Sequence, residues 1–380
     1  MKYFLEQCLC SVEKAIAYGG WAGGQDFSDQ VEVLVVDNCS TDGSVDWLRP
    51  RFPFVQFIAN TENVGFSRAN NQVLGKCRGK YVLFLNPDTI LPEDCFQQCL
   101  SFMDVHPDAG ALGVHMIDGS GRYLPESKRG FPTPWVSFCK MSGLTGFFPT
   151  SKWLAGYYLG HLSPAGTHQV DVLSGAFMWV RKEVLDKTGG FDERFFMYAE
   201  DIDLSFRIQQ AGYVNYYLPA PAIIHFKGES TRKDKRYVKL FYTAMIQFVE
   251  KHYKGIGAWG YTKLLQGIIW LKGAGKGNPV REKTEVSGHT KIVLTGDAAA
   301  MKEMHNLIDP VNDNIVTDET VADTFIYCEG QSFTFSAIIK KLQAGTAGKS
   351  VFVHGSQTGC AVGSGTKECQ GNVIGNTPDR

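Results

Sequence analysis

The sequence predicts an α/β protein: a mostly parallel sheet flanked by helices, followed by a small C-terminal α/β domain. Three observations carry this. Short β-branched runs alternate with helix-period segments through the first 225 residues, the order that builds a parallel sheet covered on both faces. A Gly- and Lys-rich stretch at 273–290, GAGKGNPVREKTEVSGHT, interrupts the pattern as a linker does, and the alternation then resumes. Charge divides the chain at similar places. Residues 1–225 hold 18 Lys and Arg against 24 Asp and Glu, residues 226–283 hold 13 against 4, and residues 284–380 hold 7 against 11. A basic middle thus separates two mildly acidic blocks. The expected units are a catalytic domain at 1–234, an amphipathic basic helical segment and linker at 235–283, and a small α/β domain at 284–380.

The elements follow in order. Residues 3–17 read as a helix with Phe4, Leu5, Cys8, Leu9, Val12 and Ile16 on one face. VEVLVVDN (31–38) reads as a buried strand, short, β-branched and closed by a turn cluster. A short helix begins at 44, VQFIAN (55–60) is a strand and FSRANNQVLGKC (66–77) a helix. YVLFLNPD (81–88) is a strand running into a proline turn. Residues 92–106 form a helix with Pro92 and acids at its start. GALGVHMI (110–117) is a further strand. Residues 120–170, rich in Gly, Pro and aromatics, read as long loops with short elements, which inside a compact domain are usually functional. VDVLSGAFMWVRKEVL (170–185) is a strand then a helix, 200–213 a helix with three acids in its first turn, and AIIHF (222–226) a short strand. Beyond the linker, strands are expected at 290–297, 323–330 and 349–355, with helices between them.

Composition narrows the function. With 44% hydrophobic and 20% charged residues, the 380-residue chain is neither disordered, collagenous nor a coiled coil, and a net charge of −1 gives no reason to expect nucleic acid. The ten cysteines contain no CxxC pair, against a structural zinc site, and Cys95 and Cys99 read as packing residues on one helix face. No signal-peptide apolar region and no apolar run near the roughly 20 residues of a bilayer span occurs. The expectation is a cytoplasmic protein, with peripheral contact on the inner face of a membrane through the basic middle. There, 235–254 reads as an amphipathic helix packing Tyr237, Leu240, Phe241, Ala244, Met245, Phe248 and Val249 on the catalytic domain. Residues 259–281, with Trp259, Tyr261, Leu264, Leu265, Ile268, Ile269 and Trp270, read as the contact to an anionic membrane surface.

In an open α/β sheet, ligands bind beyond the carboxyl ends of the strands. Asp37 ends VLVVD, Asp88 follows YVLFLN, Glu200, Asp201 and Asp203 open a helix, and His225 ends AIIH. Carboxylates and an imidazole so placed suit an oxygen-preferring divalent ion that also holds phosphate. Taken singly, each has a plain structural reading: Asp37 and Asp88 as turn residues, the three acids as helix N-terminal charges, His225 as a packed core histidine. The five ordered blocks are more specific. VEVLVVDNCSTDGS, NTENVGFSRANN, YVLFLNPDT, GAFMWVRKEVLDKTGGFDERFFMYAEDIDLSFRIQQAGY and IIHFKGEST resemble the catalytic domain of glycosyltransferase family 2, in particular its rhamnosyltransferase-like members, over about residues 1–255.

The resemblance implies a GT-A fold and an inverting transfer from a nucleotide-diphosphate sugar, of the dTDP-rhamnose or UDP-sugar type, to a hydroxyl of a glycan or lipid-linked acceptor. It implies that Asp37 holds the nucleotide base or ribose, with Asn63, Gly65, Phe66 and Asn70 forming a second nucleotide-side block. Asn86-Pro87-Asp88 takes the place of the Asp-x-Asp motif, making Asp88 a ligand of Mg2+ or Mn2+, which His225 completes. Gly175 and Ala176 line the donor sugar, Asp201 matches the catalytic base, and Glu200 orients the helix or an acceptor hydroxyl. Asp203 is read as structural. The family also opens with an apolar strand before the first helix, in the middle of the sheet, and here Met1 stands almost at that helix. The expectation is a gap beside VEVLVVD with unpaired backbone, and a destabilised protein of low activity. The rival reading is a truncated, non-catalytic donor-binding or scaffolding module of the same fold; a sugar nucleotidyltransferase would need an N-terminal Gly-rich phosphate loop that the chain lacks. AGTAGKS (344–350) is no P-loop, since Gln343 occupies the first glycine position, and GSQTGCAVGSG (355–365) lacks the GxGxxG spacing.

Overall fold

The computed structural model describes residues 1–20, 30–226, 235–254, 260–263, 265–267, 290–308, 314–346, 348–364 and 371–375. In chain order the first part runs α1 (Lys2–Tyr18), β1 (Val33–Asp37), α2 (Ser44–Leu48), β2 (Val55–Ala59), α3 (Phe66–Leu74), β3 (Tyr81–Leu85), β4 (Thr89–Ile90), α4 (Cys95–Val105) and β5 (Ala109–Ile117). It continues with α5 (Pro134–Met141), α6 (Leu144–Phe147), β6 (His168–Gln169), β7 (Phe177–Arg181), α7 (Lys182–Thr188), α8 (Glu200–Gln210), β8 (Val214–His225) and α9 (Lys235–His252). The second part is β9 (Ile292–Gly296), α10 (Ala298–Leu307), β10 (Thr324–Cys328), α11 (Phe335–Gln343), β11 (Ser350–His354), β12 (Cys360–Gly363) and β13 (Asn372–Gly375).

The strands form three sheets. β3-β7-β5-β8-β4 is the central one, with β6 on the flank of β8. Its parallel pair is β5–β8, while β7, β4 and β6 run antiparallel to their neighbours. The expected strand at 222–226 is the end of a longer one. In β8, Leu218 lies opposite Val114 and Ala222 opposite His115, so Pro219-Ala220-Pro221 bulge out of the ladder. Two prolines disguise a strand in sequence, and a bulge is where a strand tolerates them. The helices cover the sheet with apolar faces; α4 buries Cys95, Phe96, Cys99 and Met103 against β5, β7 and β8.

The C-terminal unit is a five-stranded sheet, β13-β12-β11-β10-β9, in which β9, β10 and β11 are parallel. It shares a core with the first part. Phe4, Leu9, Ile90, Ile224 and Phe226 pack in one cluster with Val293, Phe325, Phe335, Ile338, Val351 and Val362. α1 therefore lies between two layers, and Glu6 and Gln7, polar positions on a surface helix by pattern, are fully buried. Gln7 Nε2 donates to Thr358 Oγ1 at 2.7 Å and to the Cys360 carbonyl at 2.9 Å, and its Oε1 accepts from Gly355 N–H at 2.7 Å. The Glu93 carboxylate accepts from the Phe335 and Ser336 N–H groups at 2.6 and 3.0 Å, capping α11 from across the junction. Replacing Gln7 with Leu orphans the buried Gly355 N–H and should cost about 1–3 kcal/mol, read as a lower urea midpoint at unchanged slope.

β1 and β2 pair in parallel as a separate ribbon. Between them and the central sheet lies a cavity of about 1100 Å³. Val33, Val35 and Asp37 line one side, Tyr81, Leu83 and Leu85 the other, with Cys8, Leu9 and Val12 of α1 and Phe66, Ala69 and Val73 of α3 completing the walls. All five residues of β1 are only half-buried, where the apolar run predicted a buried strand. Among the described residues β1 pairs on one edge, with β2, and faces the cavity on the other.

Candidate active site

The cavity gathers side chains from separate stretches of the chain. Asp37 ends β1, Asn63 precedes α3, Phe66 and Asn70 lie in its first turns, and Asn86 follows β3. Gly175 and Ala176 precede β7, Glu200 and Asp201 open α8, and His225 ends β8. Gly65 and Asp88 do not line it; each stands against residues that do.

The residues expected on the nucleotide side are organised by one another. Asp37 Oδ2 accepts from Ser40 N–H at 3.1 Å, closing the turn after β1. Asn63 Oδ1 accepts from Gly65 N–H at 3.0 Å and from Asn38 Nδ2 at 2.9 Å, and Asn70 Nδ2 donates to the Phe66 carbonyl at 2.9 Å. Gly65 is required by its backbone: φ is +86°, and a Cβ there would meet Phe196 at 2.7 Å. Phe66 N–H donates to the Phe196 carbonyl at 2.8 Å, joining this loop to the segment that leads into α8.

Asp88 and His225, far apart in sequence, meet through the antiparallel β4–β8 ladder, in which Thr89 lies opposite His225. Phe226 N–H donates to the Asp88 carbonyl at 3.0 Å. His225 Nε2 lies 3.4 Å from Asp88 Oδ1. Both residues are buried, and Asp88 Oδ1 and His225 Nδ1 have no hydrogen-bond partner among the described residues. A buried carboxylate oxygen left unmatched costs free energy; a carboxylate suits Mg2+ or Mn2+, and an imidazole nitrogen beside it adds a ligand for divalent metals generally. The pair therefore fits a divalent ion. No group of three or more His, Cys, Asp or Glu residues suited to a metal occurs among the described residues, so such an ion would draw its remaining ligands from phosphate and water, as Mg2+ commonly does.

Asp201 is the most tightly held of the expected residues. Its Oδ2 accepts from Arg129 Nη2 at 2.5 Å and from Gly175 N–H at 3.2 Å, and its Oδ1 accepts from Ile202 N–H at 2.8 Å. A carboxylate offers about four lone-pair positions; three are taken here. Arg129 was not legible beforehand, since it sits in the Gly- and Pro-rich loop without a periodic pattern. Its Nη2 also donates to the Leu173 carbonyl at 2.7 Å. Burial disfavours its charge, but Asp201 and Tyr157 outweigh that and hold it above its ordinary range. Two further features escaped the sequence reading. Tyr198 and Ala199, directly before α8, adopt left-handed backbone at φ +72° and +63°, a conformation costly for such residues and frequent at functional sites.

Glu200 is buried, and its Oε2 has no partner among the described residues. Burial first, then the neighbouring Asp201 charge, raise its carboxyl well above the ordinary value of 4.5. Asp203 is structural as expected. Fully buried, it accepts from Arg207 Nε at 2.7 Å and from Lys251 Nζ and faces His252 Nε2, both at 2.6 Å, tying α8 to α9.

An α/β sheet with carboxylates and an imidazole gathered at its strand ends is the arrangement of a GT-A-type glycosyltransferase. The family model for glycosyl transferase family 2 matches residues 3–189. An N-acetylglucosaminyl-diphospho-decaprenol L-rhamnosyltransferase of Mycobacterium tuberculosis is 33% identical over 216 residues, covering 54% of this chain and 69% of that protein. Rhamnosyltransferase WbbL of Escherichia coli is 30% identical over 175 residues, 44% of this chain and 63% of that protein. Among solved structures, a mannosyltransferase from Pyrobaculum calidifontis in complex with GDP-Man and Mn2+ aligns at a TM-score of 0.43 and 18% identity, over 72% of this chain and 67% of that one. The chain belongs to glycosyltransferase family 2 and is a rhamnosyltransferase-like glycosyltransferase.

Proposed function

We propose that the chain moves a sugar, with inversion, from a nucleoside-diphosphate donor of the dTDP-rhamnose or UDP-sugar type to a hydroxyl of a glycan or lipid-linked acceptor. The observation that carries this is the single cavity shared by Asp37, Asp201 and His225, with Asp88 against His225. The names of the two bacterial relatives, both rhamnosyltransferases and one acting on a decaprenyl-diphosphate acceptor, support the donor and acceptor classes.

Asp37, with the Asn63–Phe66 loop, would hold the nucleoside, and Gly175 and Ala176 leave room for the donor sugar. Asp88 and His225 would hold Mg2+ or Mn2+, which when bound offsets the charge that builds on the departing diphosphate. Asp201 would take the proton of the acceptor hydroxyl at its remaining lone-pair position. Arg129 and Gly175 N–H fix the orientation of that carboxylate. Burial, which raises the Glu200 carboxyl, disfavours a second negative charge beside Asp201. A base and a leaving group on opposite sides of the anomeric carbon give inversion in one displacement.

The test is incubation with nucleotide sugars and Mn2+, following release of the nucleoside diphosphate. Sugar-dependent release that rises with an acceptor supports the proposal; no turnover of any donor, with donor binding retained, would favour a binding module. Asp88→Asn should weaken Mn2+ binding, titrated with the metal alone, by more than the roughly 10- to 100-fold that loss of an outer-shell partner costs, and abolish the thermal stabilisation that Mn2+ confers on the parent protein. No helix among the described residues is long and apolar enough to cross a membrane; we place the enzyme in the cytoplasm, peripheral on the inner membrane face.

A further inference from the structure

The stretch expected to meet a membrane, 259–281, is described only at 260–263 and 265–267. There Tyr261 and Leu265 are buried in one cluster with Phe248 and Val249, and Tyr261 Oη donates to Ser137 Oγ at 2.5 Å. Trp259, Leu264, Ile268, Ile269 and Trp270 lie outside the described residues. The α/β unit that follows also packs inward, and it does so behind Asp88 and His225.

Successive side chains of a strand point to opposite faces. His225 lines the cavity, so its neighbours Ile224 and Phe226 face away from it. Ile224 lies opposite Ile90 in the β4–β8 ladder. Ile90, Ile224 and Phe226 are at most 1% exposed, and Phe335, Ile338 and Leu342 of α11 share their cluster. The turn after β5 meets the end of the same helix so closely that a Cβ at Gly121 would clash with the Leu342 carbonyl. β4 itself is two residues long, with two register pairs, shorter than strands that hold their place by their own ladder. What keeps Asp88 beside His225 is therefore the packing behind them.

Polar contacts fix the same stretch. Glu93 stands five residues after Asp88. Its carboxylate accepts from the Phe335 and Ser336 N–H groups at 2.6 and 3.0 Å, at the helix end where the dipole favours negative charge. From α1, Ser11 Oγ accepts from Leu91 N–H at 3.1 Å, and Cys8 Sγ lies 3.5 Å from Thr89 Oγ1. Gln7, next to Cys8, is bonded to Thr358 and Cys360 of the C-terminal unit.

We propose that the C-terminal α/β unit is the back wall of the Asp88–His225 pair, and that Glu93 is a positioning residue: by gripping α11 it holds β4 against the end of β8 and keeps the two side chains in metal-binding geometry. The inference rests on the reading of Asp88 and His225 as metal ligands, and it gives the C-terminal unit a part in the donor site.

The experiment is titration of the full chain with Mn2+ alone, beside urea unfolding. Glu93→Ala should weaken Mn2+ binding by about tenfold, the lower end of what loss of an outer-shell partner costs, and lower the urea midpoint. Glu93→Gln keeps one accepting oxygen and should weaken binding by a smaller factor; it carries the test if the alanine variant does not fold. Ile326→Val thins the opposite face of the C-terminal sheet, against α10. It should lower the midpoint and leave Mn2+ affinity unchanged, the pattern that Glu93→Ala would also show if Glu93 were merely structural. Parent-like Mn2+ affinity in the Glu93 variants, or an equal loss in Ile326→Val, overturns the proposal. Asp88→Asn separates the two readings. If it binds Mn2+ as the parent does, or if the parent binds none, the assignment of the metal ligands fails and this inference with it. If it loses binding while the Glu93 variants do not, only the positioning role fails.

Discussion

Asp201→Asn should lower the rate of sugar transfer by about 10²- to 10⁴-fold and leave donor affinity little changed, whereas Glu200→Gln should retain most of the activity. The two carboxyl groups are adjacent in sequence and line the same cavity, so sequence position cannot separate them. Their surroundings do. Arg129, Gly175 N–H and Ile202 N–H all donate to Asp201 and set its direction. Glu200 has an unpartnered oxygen in a buried setting beside that charge, and two carboxylates so close do not both ionise readily. An amide replaces the Glu200 carboxyl with little change in shape. An asparagine at 201 keeps the shape but cannot take a proton. Single-turnover rates and donor titrations on both variants decide the matter; equal losses would place the base elsewhere. The pH dependence of stability offers a second readout. With its carboxyl raised above 4.5, Glu200 keeps in the folded state a proton that the unfolded chain releases. Its contribution is therefore present at low pH and lost as pH rises through the folded value, so Glu200→Gln should flatten the decline in stability toward alkaline pH.

Arg129→Leu should destabilise the protein by about 3–5 kcal/mol and lower sugar transfer with it. Arg129 Nη2 donates to Asp201 Oδ2 at 2.5 Å and to the Leu173 carbonyl at 2.7 Å. Both members of the ion pair are largely buried, with side chains 11% and 15% exposed. Removing the guanidinium leaves a carboxylate away from water without its cation. Urea unfolding with a lower midpoint at unchanged slope would show the loss; an unchanged midpoint would mean that the pair contributes nothing to the fold.

Much of the architecture could be read from local pattern. The strands at Val33, Val55, Tyr81 and Ala109, the helices that follow them and the late α/β unit all appear within a few residues of expectation, because apolar periodicity and turn residues act over short ranges. Asp88, Asp201 and His225 were legible because each stands at the end of such a strand or the start of such a helix. Arg129 was not, since nothing in a Gly- and Pro-rich loop shows which carboxylate a guanidinium will reach. Residues 214–221 of β8 were hidden by Pro219 and Pro221, which the ladder accommodates as a bulge. The burial of Tyr261, expected at a membrane and found beneath α5, turned on which side of an amphipathic segment its neighbours cover.

The amino-acid order by itself determined the α/β class, the sequence of elements and the residue types at the strand ends, because these depend on side-chain spacing along a single segment. Only the tertiary structure decided that β4 and β8 pair to bring Asp88 against His225, that Arg129 fixes Asp201 while Glu200 is buried beside it, and that the C-terminal sheet shares a core with α1. Those outcomes depend on distances between segments from 72 to 353 residues apart in the chain, and on which polar groups lose their water when the layers close.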